Sequence, residues 1–312
     1  MRVLVTGGAG FIGSHLVDAL VARGDDVAVA DDLSSGRPGR LHELAAMHKL
    51  SVSDAEQFDA LVTDYGPDLI CHLAAQIDVR TSVSQPTRDA QANVLGTVNV
   101  LEAARAVGAR VLFSSTGGAL YGRDAPIPSL EDVLPLPESP YGVAKHCAEQ
   151  YVSLYNRLHG TGHTVLRVAN VYGPRQDPAG ESGVVAIFCA QALTGERPTI
   201  YGDGLQTRDY VYISDAVSAF LAAADRGRPG IWNIGTGVEV SVLELARVIG
   251  QVAGLAVDPV FAPARPGELL RTALSSERAQ VDLGWKPATP LATGVERVYR
   301  WIADGAPDRA SC

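Results

Sequence analysis

Cross-linking and metal chemistry have little to work with in this 312-residue chain. Its cysteines (Cys71, Cys147, Cys189 and Cys312) are scattered without paired spacing, so neither a disulfide framework nor a zinc site is suggested, and no bound metal is expected. No apolar run approaches the length of a membrane span, which removes the membrane as a partner. The start has no basic segment ahead of an apolar one, so no signal peptide is expected and the chain reads as cytoplasmic. A surplus of positive charge is missing too. Lys and Arg number 26 against 35 Asp and Glu, and a net charge of −9 argues against nucleic acid, which needs a basic face. Internal repeats and low-complexity segments are likewise absent. The remainder is ordinary for a globular protein: 46% hydrophobic and 20% charged residues, with length for a large core.

The opening residues carry the strongest signal. Arg2 to Thr6 is an apolar run of β-formers, followed by Gly7-Gly8-Ala9-Gly10-Phe11-Ile12-Gly13-Ser14 and an amphipathic stretch to Arg23. Gly24 closes that helix, Val27 to Ala30 forms a second strand, and Asp31 stands at its tip. Glycines let the backbone approach a pyrophosphate, and the helix start directs free N–H groups at the anion. Asp31 lies at the distance where a carboxylate accepts the adenosine ribose hydroxyls, with Asp32 as a second acceptor. Its charge would repel a 2′-phosphate, and Arg23 is not beside it, so NAD is expected rather than NADP.

Strands and helices alternate to about residue 169, which predicts an α/β fold with a doubly wound parallel sheet. The pattern predicts a helix near 38–47, a short strand at 49–52 and helices at 54–65, 85–107 and 140–158. Beyond Asn170, Gly and Pro become frequent. The expected division is a dinucleotide-binding domain over 1–170, re-entered at about 209–235. A smaller mixed C-terminal lobe over 171–208 and 236–305 and a tail at 306–312 complete it.

Tyr141 and Lys145 are four apart on the helix that follows Ser139-Pro140, and so share one face. An ammonium beside a phenol favours the phenolate, which makes Tyr141 a candidate general base. The strand end Phe113-Ser114-Ser115-Thr116-Gly117-Gly118 offers hydroxyls where ligands bind in open α/β sheets. Thr116 is favoured as the hydroxyl that contacts a substrate alcohol, with Ser115 as the alternative.

With these segments the chain resembles the extended short-chain dehydrogenases/reductases, the NAD-dependent epimerase/dehydratase family, and within it the UDP-glucose 4-epimerase branch. The matching segments are Thr6 to Ser14, Asp31 to Gly36, His72 to Gln76, Tyr141 to Lys145, Arg167 to Arg175, Tyr201 to Val211 and Arg265 to Glu268. The resemblance implies a cofactor site of Gly7, Gly10, Phe11, Ile12, Gly13, Asp31, Asp32, Ser35 and Gly36. Leu73, Ala74, Ala75, Gln76, Ser114, Tyr141 and Lys145 would line its other side, with Asp54 at the adenine and Asn93 in support. For a UDP-sugar it implies Thr116, Gly117, Gly118, Tyr141 and Val184, with Asn170, Arg208 and Arg265 on the diphosphate and Thr199 and Tyr201 by the uracil. His72 is expected to be structural. A homodimer is also implied.

The function that follows is C4 epimerisation of a UDP-hexose, glucose/galactose first, by way of a transient 4-keto sugar and retained NAD. UDP-glucuronate and UDP-N-acetylglucosamine are the alternative substrates. A 4,6-dehydratase needs an acidic pair after the catalytic Thr, where this chain has Gly117-Gly118. A reductase is disfavoured by Asp31.

Overall fold

Strands buried on both faces read as near-continuous apolar runs, and this chain uses them that way. The computed structural model describes residues 1–178, 183–264 and 269–306. The first half runs β1 (Arg2–Thr6), α1 (Phe11–Ala22), β2 (Asp26–Asp31), β3 (Ala46–Lys49), α2 (Ala55–Tyr65), β4 (Leu69–His72), α3 (Val79–Ser84) and α4 (Pro86–Ala90). Next come α5 (Gly96–Val107), β5 (Arg110–Thr116), α6 (Pro140–His159), β6 (Thr164–Val168), β7 (Asn170–Tyr172), α7 (Val184–Thr194), β8 (Thr199–Tyr201), β9 (Thr207–Arg208) and β10 (Tyr210–Tyr212). The chain continues with α8 (Ile213–Arg226), β11 (Gly230–Ile234), β12 (Val240–Ser241), α9 (Val242–Ala253), β13 (Val260–Ala262), α10 (Glu277–Leu283) and α11 (Leu291–Ala303).

Seven strands pair in parallel in the order β11-β6-β5-β4-β1-β2-β3. Alternate residues feed two cores. Leu4, Ile70 and Phe113 pack with Phe58, Leu101 and Val152 on one face. Val3, Val29 and Leu112 pack with Leu16, Phe220 and Val295 on the other. This is the expected doubly wound Rossmann sheet. Strand order reverses between β1 and β4, and there the carboxyl ends of both strands leave a crevice. The small pairs β7–β10, β8–β13 and β9–β12 are mixed, the last being antiparallel.

Two segments differ from the sequence pattern. Only Pro38–Arg40 winds, as a 3₁₀ turn, where a helix to residue 47 is predicted. Ala46–Lys49 instead extends along β2, Ala28 facing Ala46 and Asp31 facing Lys49. Leu41, Ala45 and Met47 still reach the core, so the apolar spacing that mimics a helix is satisfied by an edge strand. The helix predicted over 85–107 is interrupted by a π turn at Gln91–Leu95 between α4 and α5. Among the described residues no helix is long and apolar enough to cross a membrane.

Candidate active site

A cleft of about 1310 Å³ runs across the carboxyl ends of β1, β2, β4 and β5 and on to α7, β8 and β9. At one end lies the glycine turn. Gly7 has φ +69°, and a Cβ on it would stand 2.7 Å from the Ala74 nitrogen. At Gly13 a Cβ would come within 2.1 Å of the Gly7 oxygen, so the first turn of α1 could not close onto β1. No side chain caps α1 at Gly10 and no acid sits in its first turn. Its opening residues Phe11, Ile12 and Gly13 line the cleft, which is a donor set suited to a pyrophosphate.

Asp31 faces this turn and is nearly buried. Its two oxygens accept from the Ala9 and Leu33 nitrogens, each at 2.9 Å, and Gly36 packs against the carboxylate. Burial raises its pKa while those bonds oppose the rise. A carboxylate can accept about four hydrogen bonds, so sites remain for two ribose hydroxyls. Asp32 and Ser35 line the same end. Asp54 does not: its carboxylate caps α2, accepting from the Gln57 nitrogen at 3.1 Å, while Ser51, Val52 and Ser53 form the wall there.

The opposite wall is Leu73 to Gln76. Asn93, in the π turn, clasps Gln76 by accepting from its nitrogen at 3.0 Å and donating to its oxygen at 2.9 Å. His72 is held between Thr6 and Thr97 at 2.8 and 3.0 Å. Burial takes its pKa down to about 3, with the Lys145 charge adding to the fall. Neutral and fully bonded, it is structural.

Tyr141 and Lys145 arrive at the cleft because α6 starts where it does. Ser139 caps it, accepting from the Gly142 nitrogen at 3.2 Å, and Pro140 sits in the first turn. The Tyr141 phenol is pushed up to about 12 by burial; a hydrogen bond with the Thr116 side chain opposes this and the Asp89 charge adds to it. Lys145 donates to the Ser114 oxygen at 3.0 Å and stands 4.7 Å above the Phe113 ring. Burial pulls its ammonium down to about 8, against the charges of Asp89 and Glu149.

The two candidate hydroxyls separate clearly. Ser115 donates to Glu149 Oε1 at 2.5 Å, and Glu149 is paired with Arg167 at 2.7 Å, all three buried. Arg167 also donates to the Tyr121 hydroxyl at 2.8 Å, which donates to Asn233 at 2.7 Å. Thr116, two residues along from Ser114, lines the cleft with Tyr141, and its side chain acts to lower the phenol's pKa.

At the far end Asn170, Val184, Thr199, Tyr201 and Arg208 line the cleft. Arg208 donates to the Thr207 oxygen at 2.8 Å. Gly117 packs against Leu274 and Gly118 beside the Asn170 side chain; neither forms the cleft wall. Arg265 lies outside the described residues. Phe188 and Gln191 also line this end and carry no motif in the sequence, while Gln206 lines it from within the Tyr201 to Val211 segment. The only signal for Phe188 and Gln191 is position, on the apolar face of α7. Among the described residues no group of three or more His, Cys, Asp or Glu gathers as a metal site would.

A sequence model of the NAD dependent epimerase/dehydratase family matches residues 3–235. A UDP-glucose 4-epimerase of Mycolicibacterium smegmatis is 46% identical over 308 residues, covering 97% of this chain and 98% of the relative. A solved UDP-glucose 4-epimerase from Thermotoga maritima, with UDP-glucose, superposes with a TM-score of 0.96 at 43% identity, covering 98% and 99% of the two chains. One from Thermus thermophilus, in complex with NAD, gives 0.91 at 40% identity, covering 96% and 98%.

Proposed function

The chain belongs to the NAD-dependent epimerase/dehydratase family, and from that premise we propose that it interconverts UDP-hexoses at C4, UDP-glucose and UDP-galactose first. One observation carries the reading. Tyr141, lining the same cleft as Thr116 and one turn from Lys145, stands where that cleft joins the glycine turn to Asn170, Thr199 and Arg208. That cleft has room for a dinucleotide and a nucleotide sugar end to end.

NAD is the cofactor, and when bound it would supply a reversible hydride acceptor for the carbinol carbon. The residues of the chain do the rest. Gly7, Gly10 and Gly13, with the start of α1, hold its pyrophosphate, and Asp31 accepts its ribose hydroxyls. Tyr141 takes the proton of the 4-hydroxyl as C4 becomes a ketone, and returns it to the new alcohol. Thr116 holds that hydroxyl, and the Lys145 ammonium favours the phenolate. Asn170, Arg208 and Arg265 hold the diphosphate, Thr199 and Tyr201 border the uracil, and Val184 lines the substrate end of the cleft. Gly117 and Gly118 offer no group to protonate a departing 6-hydroxyl, which leaves return of the hydride as the exit.

The same reading includes a homodimer working in the cytoplasm. Exposed Val143, Leu154 and Leu158 along α6 support a second copy seated there. Incubation with UDP-galactose and catalytic NAD, followed by NMR, tests the reaction. UDP-glucose without net NADH is expected. A 4-keto-6-deoxy sugar, a pentose or stoichiometric NADH would overturn it, whereas turnover of UDP-glucuronate alone would change only the sugar.

A further inference from the structure

We propose that the loop Asp32–Arg37 and the segment Gly173–Asp177 form a clasp at the glycine turn, closed by the Arg37–Asp177 ion pair, which slows the release of bound NAD; this rests on the reading that NAD lies along that turn. Ser34 and Ser35 line the cleft from the loop, and Gln176 and Asp177 line it from the segment. The Arg37 guanidinium donates to the Asp177 carboxylate, although 140 positions separate the two in sequence.

Both halves are rooted beside the turn they flank. Gly36 packs so closely on Asp31 and Ala9 that a Cβ there would stand 2.7 Å from Asp31 Oδ1. Arg37 donates its backbone N–H to the Ala9 oxygen at 2.9 Å, and its own oxygen accepts from the Arg40 nitrogen at 3.0 Å. Its side chain therefore springs from a fixed point. The other half is fastened to α1. His15 donates to the Pro174 oxygen at 2.9 Å, and Arg175 donates to Asp18 Oδ2 at 2.7 Å. Arg175 holds φ +67°, a left-handed conformation uncommon for a residue with a Cβ. Such strain persists only where the surroundings impose it, and it gathers at ligand clamps. The contacts run in a ring, from Ala9 through Arg37 and Asp177 to Arg175 and back to α1, whose first turn is the pyrophosphate site.

Charge explains why the ring closes on an ion pair. Asp177 lines a cleft end that already carries Asp31 and Asp32 and receives a pyrophosphate. Its carboxylate would repel that anion if Arg37 did not neutralise it. Asp32 accepts from the Ser34 nitrogen at 2.9 Å, Arg175 is taken by Asp18, and Arg40 is buried in the cleft wall itself. The Arg37 and Asp177 side chains are 52% and 31% exposed, so the pair adds little to folding and can open and reclose without disturbing the core. Retention of NAD suits the chemistry, because a hydride taken from C4 must return to the same sugar.

Protein loaded with radiolabelled NAD is chased with unlabelled NAD, and the rate of label release is measured. Arg37→Ala, Asp177→Ala and the double variant should each release NAD about two- to fivefold faster than the parent, the range that an exposed ion pair supplies. The double variant should be no faster than either single one, because all three lose the same contact. The sign for Asp177→Ala is decisive. If Asp177 only faced the cofactor, removing its charge would slow release. Equal or slower release from Asp177→Ala overturns the clasp, and faster release from Arg37→Ala alone would place that guanidinium directly on the pyrophosphate. Single accelerations that multiply in the double variant also overturn it. A parent that takes up no NAD would overturn the reading of the glycine turn and the clasp with it. One that holds NAD but leaves UDP-sugars unchanged would overturn only the sugar reading, with the release rates still deciding the clasp.

Discussion

Replacing Arg167 by methionine isolates the polar knot beneath the active site. Arg167 donates to both Glu149 oxygens, from Nε at 3.1 Å to each and from a terminal nitrogen at 2.7 Å. Its other terminal nitrogen donates to the Tyr121 hydroxyl at 2.8 Å and the Glu131 oxygen at 3.1 Å. The two paired side chains are 5% and 1% exposed, so water cannot replace a lost partner. Arg167→Met leaves Glu149 as a buried, unpaired carboxylate, a change that costs about 3–5 kcal/mol. Arg167→Met with Glu149→Leu removes both charges. The Glu131 oxygen loses its donor in both variants, so what the double variant adds is a Ser115 hydroxyl without its acceptor, about 1–3 kcal/mol. The two estimates overlap, but the double variant gains apolar packing and carries no buried charge. It should therefore unfold at higher urea than Arg167→Met alone, read from circular dichroism midpoints of the three proteins. A double variant no more stable than Arg167→Met would refute the reasoning, because the unpaired charge would then not be the source of the loss.

Tyr141→Phe should retain NAD and UDP binding but lose ~10²–10⁴-fold in kcat, the worth of a positioned general base; turnover within about threefold of the parent would reassign the base. Thr116→Ala should cost most of kcat at unchanged melting temperature, whereas Ser115→Ala should act mainly on stability, since its hydroxyl bonds Glu149; the reverse outcome would exchange their roles. Asp31→Ala should weaken NAD and narrow its preference over NADP, and an unaltered preference in cofactor titration would move the ribose role elsewhere. The buried histidines His72 and His163, held to about 3 and about 4 by burial, stay neutral when folded but gain protons when unfolded below about 6.5. Stability contributed by them is full above that pH and falls toward pH 4; melting curves should show this, with a shallower slope in His163→Gln.

The first βαβ unit was readable because its constraints are local. The tight turn demands Gly7, the close helix demands Gly13, and both leave a spacing in the sequence. Tyr141 and Lys145 were readable for the same reason, as one helical turn brings them together. Groups joined through tertiary packing left no such trace. Asp89 belongs to no motif, and the hold of Asn93 on Gln76 is made from a π turn that hydrophobic spacing cannot reveal. Adjacent Ser115 and Thr116 look alike in sequence; Glu149, thirty-four positions from Ser115, separates them. The 38–47 segment misleads because Leu41, Ala45 and Met47 suit either a helix or an edge strand, and pairing with β2 decides.

The sheet order also has a consequence for synthesis. β6 ends at Val168 and its outer neighbour β11 begins only at Gly230. About 60 residues must follow β6 before that edge can be covered, which at ~5–20 residues per second is about 3–12 s on the ribosome. During that interval β6, apolar at Val165, Leu166 and Val168, presents unpaired backbone to other nascent chains. The wait for β11, like that of β1 for β4, which begins only at Leu69, is a stage at which this chain is exposed to misassembly and at which a chaperone would help it.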